Sequence, residues 1–174
     1  MNTSIVTLFL VVFSMAIVLT GMPDQSEAES KKFIGTYFTL GSEGDIETPV
    51  IVQIGKDGTY NTVFGIQGTG LVGGINFTDD VGTWKKTGSN EIAAVTVSVE
   101  YTPPTESSPG ELVANCIADH VITFSNKVND RFQDIDVMIS GRCYEPDVNP
   151  ADPDDAPVIV EFTGNFQGKR VNLP

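Results

Sequence analysis

Residues 113–144 read VANCIADHVITFSNKVNDRFQDIDVMISGRCY. The first half is apolar or small at the even positions Ala114, Cys116, Ala118, His120, Ile122 and Phe124. The second half is so at the odd positions Ile135, Val137, Ile139, Gly141 and Cys143. A period of two is what a strand with one buried face requires. The polar segment between them, residues 125–131, predicts the turn of a hairpin. Setting Cys116 opposite Cys143 makes the numbers of every facing pair sum to 259, so His120 faces Ile139, Ile122 faces Val137 and Phe124 faces Ile135. That register serves a buried face and a cross-strand disulfide together, and a slip of one residue undoes both. The single histidine of the chain therefore goes to the inner face.

Working outward, strands are predicted at residues 33–40, 48–54, 58–65, 81–87 and 91–101 before the hairpin and at 158–168 after it. Asp57-Gly58 supplies the positive φ of a tight turn, and Gly88-Ser89-Asn90 makes another. Within residues 91–101, Ala93, Val95, Val97, Val99 and Tyr101 alternate with Thr96, Ser98 and Glu100, which sends the valines inward. Eight short antiparallel strands in sequence imply an all-β fold, an up-and-down β-barrel closed on itself, with a two-sheet β-sandwich as the alternative. In a meander the connections alternate between two ends. Those at 41–47, 66–80, 102–110 and 145–157 are long and acidic; those at 55–58, 88–90 and 126–130 are short. Lys31, Lys32, Lys56, Lys85, Lys86, Lys127, Arg131, Lys169 and Arg170 gather toward the short-turn end, and Arg142 alone is near the other. The barrel is thus expected to have an acidic mouth and a basic, closed base.

Residues 5–19 form an apolar run, and Ser26-Glu27-Ala28 is a small-x-small cleavage site, so residues 1–28 read as a signal peptide and 29–174 as one barrel domain. A retained membrane anchor is the competing reading, although the run is shorter than the roughly 20 residues of a span. Export makes a disulfide the expected state of the two cysteines; two buried thiols are the alternative. The chain carries 10 Lys+Arg against 23 Asp+Glu, a net charge of −13. Losing Asp24 and Glu27 with the leader leaves −11. Such a charge argues against nucleic acid and anionic membrane as partners and favours cationic ligands at the mouth.

The motifs Gly35-Thr36-Tyr37, Gly82-Thr83-Trp84 and Gly168-Lys169-Arg170 resemble those of the calycin group, which includes lipocalins and fatty-acid-binding proteins. With Asp57-Gly58-Thr59 they are also similar to small exported proteins of unknown function. The resemblance implies an eight-stranded barrel in which a late arginine, here Arg170, lies over an aromatic ring of the first strand, here Tyr37.

A barrel of this size is filled by side chains or holds one small ligand. The candidate ligand-binding residues are Tyr60, Phe64, Trp84, Val99, Tyr101, His120, Ile139 and Phe162, an apolar and aromatic lining with a few polar tips. A plain packed core is the competing reading. His120 is the catalytic candidate, since an inward imidazole can act as a general base; otherwise it is a core histidine satisfied by its neighbours. Asp147, Asp152, Asp154 and Asp155 are candidate calcium ligands, without the loop signature of a dedicated site. Asn76-Phe77-Thr78 is a glycosylation acceptor sequence, and the glycines at 65–74 suit a flap over the mouth. The sequence points to no cofactor and no resident metal. The leading expectation is a secreted or periplasmic lipocalin-like barrel binding a small, largely apolar molecule, with a cationic end accommodated by the mouth. The alternatives are an isomerase or cyclase of the allene-oxide-cyclase or dirigent kind, by analogy of fold, and a protein-interaction module.

Overall fold

The computed structural model describes residues 30–43, 46–65, 76–105 and 110–172. The predicted leader, residues 1–28, and most of the glycine-rich connection lie outside the described residues. The strands are β1 (Gly35–Glu43), β2 (Ile46–Ile54), β3 (Thr59–Phe64), β4 (Asn76–Phe77), β5 (Asp80–Gly88), β6 (Glu91–Tyr101), β7 (Leu112–Val128), β8 (Arg131–Tyr144) and β9 (Val160–Arg170). All pairings are antiparallel, in the order β4-β6-β5-β3-β2-β1-β9-β8-β7, and β6 also pairs with β7, which closes an eight-stranded barrel. The extra strand, β4, pairs with the mouth end of β6 (Asn76 with Tyr101, Phe77 with Glu100) on the side that β5 occupies lower down. Among the described residues no helix is long and apolar enough to cross a membrane.

The β7–β8 hairpin has the expected register: every pair sums to 259, and Cys116 and Cys143 are disulfide-bonded. Its turn is tighter than residues 125–131. The strands run on to Val128 and Arg131, and Asn129 and Asp130, with φ of 49° and 59°, make a two-residue turn of the kind that matches strand twist. The connection expected at 41–47 is likewise mostly strand, with Glu43 paired to Ile46. Asn76, read from the sequence as lying in an exposed loop, is instead buried in β4.

One expectation is reversed. In β6 the even positions face inward: Ile92, Ala94 and Thr96 are buried, whereas Val95 and Val97 are 43% and 44% exposed. The cause lies in β7. Cross-strand partners share a face, and the register sets Ile92 against Ile122, Ala94 against His120, Thr96 against Ala118 and Ser98 against Cys116. The disulfide and histidine column of β7 thus decides which face of β6 is inside. Val99, paired with Asn115, falls on the outer series, and Tyr101 stands beyond a bulge at Glu100.

The base is filled. Phe33, Phe124 and Phe132 stack at centroid distances of 4.9–5.4 Å, with Tyr37 against Phe124. Val50, Val52, Ile54, Ile92, Ile122, Ile135 and Val137 complete the core. Arg170 lies 4.9 Å over the Tyr37 ring and donates to the carbonyls of Phe132, Ile34 and Lys32 and to the Tyr37 hydroxyl. Burial pushes that hydroxyl up to about 12.

Candidate functional site

The inner face of β6 is a polar stripe, Thr96-x-Ser98-x-Glu100, climbing from the packed base to the mouth. β3 brings Tyr60 and Thr62 beside it, β5 brings Asp80, and β7 brings His120. The row that holds Tyr60 continues through Gly82, Thr96, Ala118 and Gly141. Three small residues in one row leave space for the Tyr60 ring, which meets the His120 ring edge-on at 5.0 Å.

His120 is 1% exposed and both ring nitrogens are engaged: Nδ1 is 3.3 Å from the Tyr60 hydroxyl and Nε2 is 2.9 Å from Thr96 Oγ1. Asp80 Oδ2 lies 3.9 Å from Nε2 and accepts a hydrogen bond from Thr62 at 2.8 Å and another from Ser98. The neutral ring has one N–H and one bare nitrogen, so it donates to one of these hydroxyls and accepts from the other. Burial drives all three titrations toward the uncharged form. It holds the imidazole down to about 4 and raises both the Tyr60 hydroxyl and the Asp80 carboxyl. At neutral pH the imidazole is therefore uncharged, and His120 and Asp80, 3.9 Å apart, are neither an ion pair nor hydrogen-bonded to each other.

Above this cluster the interior changes character. Glu100, at the top of the stripe, is half-buried, and its closest polar contact is Cys143 Sγ at 3.7 Å. A disulfide sulfur carries no proton, so this contact gives the carboxylate no donor. Burial raises its pKa. Phe162 packs against Ala114, Cys116 and Cys143, and its ring covers Gly141, where a Cβ would stand 2.1 Å from it. Phe77, the cross-strand partner of Glu100, meets Phe64 at 5.3 Å, and Phe64 meets Phe166 at 5.8 Å. Phe166 in turn covers Gly41, the partner of Thr48. Thr48 is 3% exposed, and among the described residues its hydroxyl is without a hydrogen-bond partner.

Of the residues expected to line a pocket, Tyr60, His120 and Ile139 are buried together, and Phe64 and Phe162 stand half-buried in the upper interior. Trp84 is elsewhere. Its indole donates to the Gly55 carbonyl at 2.8 Å and packs on Phe33, so it closes the base. Val99 and Tyr101 leave the lining for the reason given above. Asp80, Thr96 and Glu100, absent from that expectation, are the polar members the fold supplies. The signal for them was their parity with His120 once β6 is paired to β7.

The acidic segment 145–157 is built of three consecutive turns, and the Asn115 amide ties its start down through the carbonyls of Pro146 and Val148. Asp147, Asp152, Asp154 and Asp155 are exposed. Among the described residues they do not bring three ligand atoms within 4.8 Å of one another; Glu100, Cys116 and Cys143 do, but these sulfurs are joined to each other. Comparison of the chain with protein-family models, with curated proteins and with solved structures finds no match.

Proposed function

We propose that this protein is an exported, lipocalin-like barrel that binds a small, largely apolar molecule in the mouth half of its interior. The observation that carries this reading is the division of the inside. The base is close-packed from Phe33 to Val137, whereas the upper part presents four half-buried phenylalanines, Phe64, Phe77, Phe162 and Phe166, around polar groups. A few polar groups within an apolar wall are what fix a small ligand in a concave site. The disulfide at the rim suits a secreted or periplasmic protein. The acidic segment beside the mouth gives the approach its sign.

The test is twofold. Solvent extraction of protein recovered from the exported fraction, followed by mass spectrometry, should yield a stoichiometric small molecule. Titration of stripped protein with the apolar dye N-phenyl-1-naphthylamine should give saturable fluorescence that the extract displaces. A linear, non-saturating response with nothing in the extract counts against the reading.

One observation favours a second reading, proton transfer on a bound substrate: inside the barrel Tyr60 is hydrogen-bonded to His120, and the Asp80 carboxyl lies 3.9 Å from the same ring. Binding is the better-supported function. The imidazole has no free nitrogen, it is 1% exposed, and a basicity near 4 makes it a poor base at neutral pH.

A further inference from the structure

We propose that the ligand site takes an alkylated ammonium group at Glu100, the carboxylate serving as counter-charge and the rings of Phe77 and Phe162 as walls. This rests on the ligand-binding reading above and deepens it to a chemical class. Four observations lead there. Glu100 faces inward from the top of the β6 stripe, between Phe77 of β4 and Ala114 of β7, its two cross-strand partners. Ala114 is small and the Phe162 ring packs over it, so the groups beside the carboxylate on that side are apolar.

Second, among the described residues the carboxylate has neither a hydrogen-bond donor nor a cation; its contact is the disulfide sulfur. A half-buried carboxylate left without a partner is costly, and a cationic ligand supplies what is missing. Third, the chain's own cations are turned elsewhere. Lys32 and Lys127 lie over the rings of Phe33 and Phe132 at the base, Arg170 lies over Tyr37, and Arg142 points outward.

Fourth, the walls are aromatic. Alkylated ammonium ions are weakly hydrated and are held by ring faces together with one counter-charge. A primary ammonium would ask for several acceptors, and the groups nearest Glu100 are rings, a methyl and sulfur. An independent sign of a ligand in the same space is the Thr48 hydroxyl. Among the described residues it is buried without a partner, at the far end of the arc that Phe77, Phe64 and Phe166 form from Glu100. The ligand's body would lie along that arc.

Calorimetric titration of the intact disulfide-bonded protein with benzyltrimethylammonium, and with its uncharged isostere neopentylbenzene, tests this. The cation should bind about ten-fold tighter than the isostere. Glu100→Gln should reduce that preference to within about two-fold and leave the affinity for neopentylbenzene unchanged. Phe162→Leu, which keeps an apolar side chain but removes the ring, should weaken the cation more than the isostere. Equal or tighter binding of neopentylbenzene by the unsubstituted protein overturns the ammonium assignment and leaves apolar binding intact. So does a preference that survives Glu100→Gln. If neither probe binds, and the naphthylamine dye is not taken up either, the ligand-binding reading falls and this inference with it.

Discussion

At the scale of single residues, His120 shows how a polar group becomes part of a core. An imidazole buried without partners would cost several kcal/mol. Here Tyr60 and Thr96 satisfy both nitrogens, so the ring ties β3 and β6 to β7 through side chains. Burial moves its pKa below that of the unfolded chain, from 6.5 to about 4. Between those values the unfolded chain binds a proton that the folded barrel does not. His120 therefore lowers stability as pH falls from 6.5 toward 4 and has no such effect above 6.5. Asp80 has the opposite sign, because its carboxyl is raised and takes up its proton in the folded state first. Glu100, also raised by burial, shares that sign, so of these three groups only His120 lowers stability as the pH falls. Unfolding in urea at pH 7.5 and pH 5 should show the His120 contribution as a loss of about 2 kcal/mol at the lower pH. In His120→Gln the difference between the two pH values should shrink by that amount. A variant that keeps the whole pH difference would show that the imidazole is not the group responsible. His120→Ala should cost about 2–4 kcal/mol at neutral pH, since it leaves a cavity and two hydroxyls without their partner.

At the scale of elements, the strands divide into those whose own pattern names their inner face and those that take it from a neighbour. β7 and β8 belong to the first kind. Above the base their inward columns run in step, Cys116 to Phe124 against Ile135 to Cys143, the two cysteines pin the register, and both were legible in the sequence. β6 belongs to the second. It has valines on one face and Ala94, Thr96 and Ser98 on the other, and by hydrophobicity alone the valines go inside. Pairing with β7 reverses this, because an inner column that already holds Tyr60 and His120 has room for small polar side chains. The same reversal hid the candidate site: Thr96 and Glu100 fall on the outward face of a strand whose valines read as inward, and Asp80 reads as part of the acidic connection 66–80. The 41–47 segment was hidden differently, since Gly41, Ser42 and Glu43 read as a loop although the backbone pairs through them. The faces of β6 can be checked directly. Val97→Thr should change stability by less than about 1 kcal/mol, whereas Ile92→Thr, which puts a hydroxyl into the base, should cost about 2–4 kcal/mol. Comparable losses in urea unfolding for the two variants would mean that the strand faces the other way.

At the scale of the whole molecule, the question is what holds a closed ring of strands shut at the end opposite the mouth. Hydrogen-bonded pairing closes the wall, and the aromatic stack of Phe33, Phe124 and Phe132 fills the base, but on the segment that leads into β1 the backbone of the described residues reaches the Lys32 carbonyl only through the Phe132 N–H and gives the Ile34 carbonyl no such donor. Arg170 does. At the end of the last strand it gathers the carbonyls of Lys32 and Ile34, on the segment before β1, and that of Phe132, at the start of β8. Its ring contact and hydrogen bond to Tyr37 complete the set. One planar guanidinium thus joins the chain's incoming segment, its penultimate strand and its final strand. Arg170→Met keeps much of the stem's packing and removes every donor, which should cost about 3–5 kcal/mol. Arg170→Lys should recover less than half of that, because a single ammonium cannot present donors in the plane that these acceptors share. Trp84, packed at the same end, makes fluorescence-detected urea unfolding a suitable measurement. Dye binding at the mouth should be unchanged in both variants while they remain folded, since Glu100 and Phe162 lie at the other end of the barrel. If lysine serves as well as arginine, the base is held by charge alone. If dye affinity falls together with stability, the two ends are not the independent halves that the packing describes.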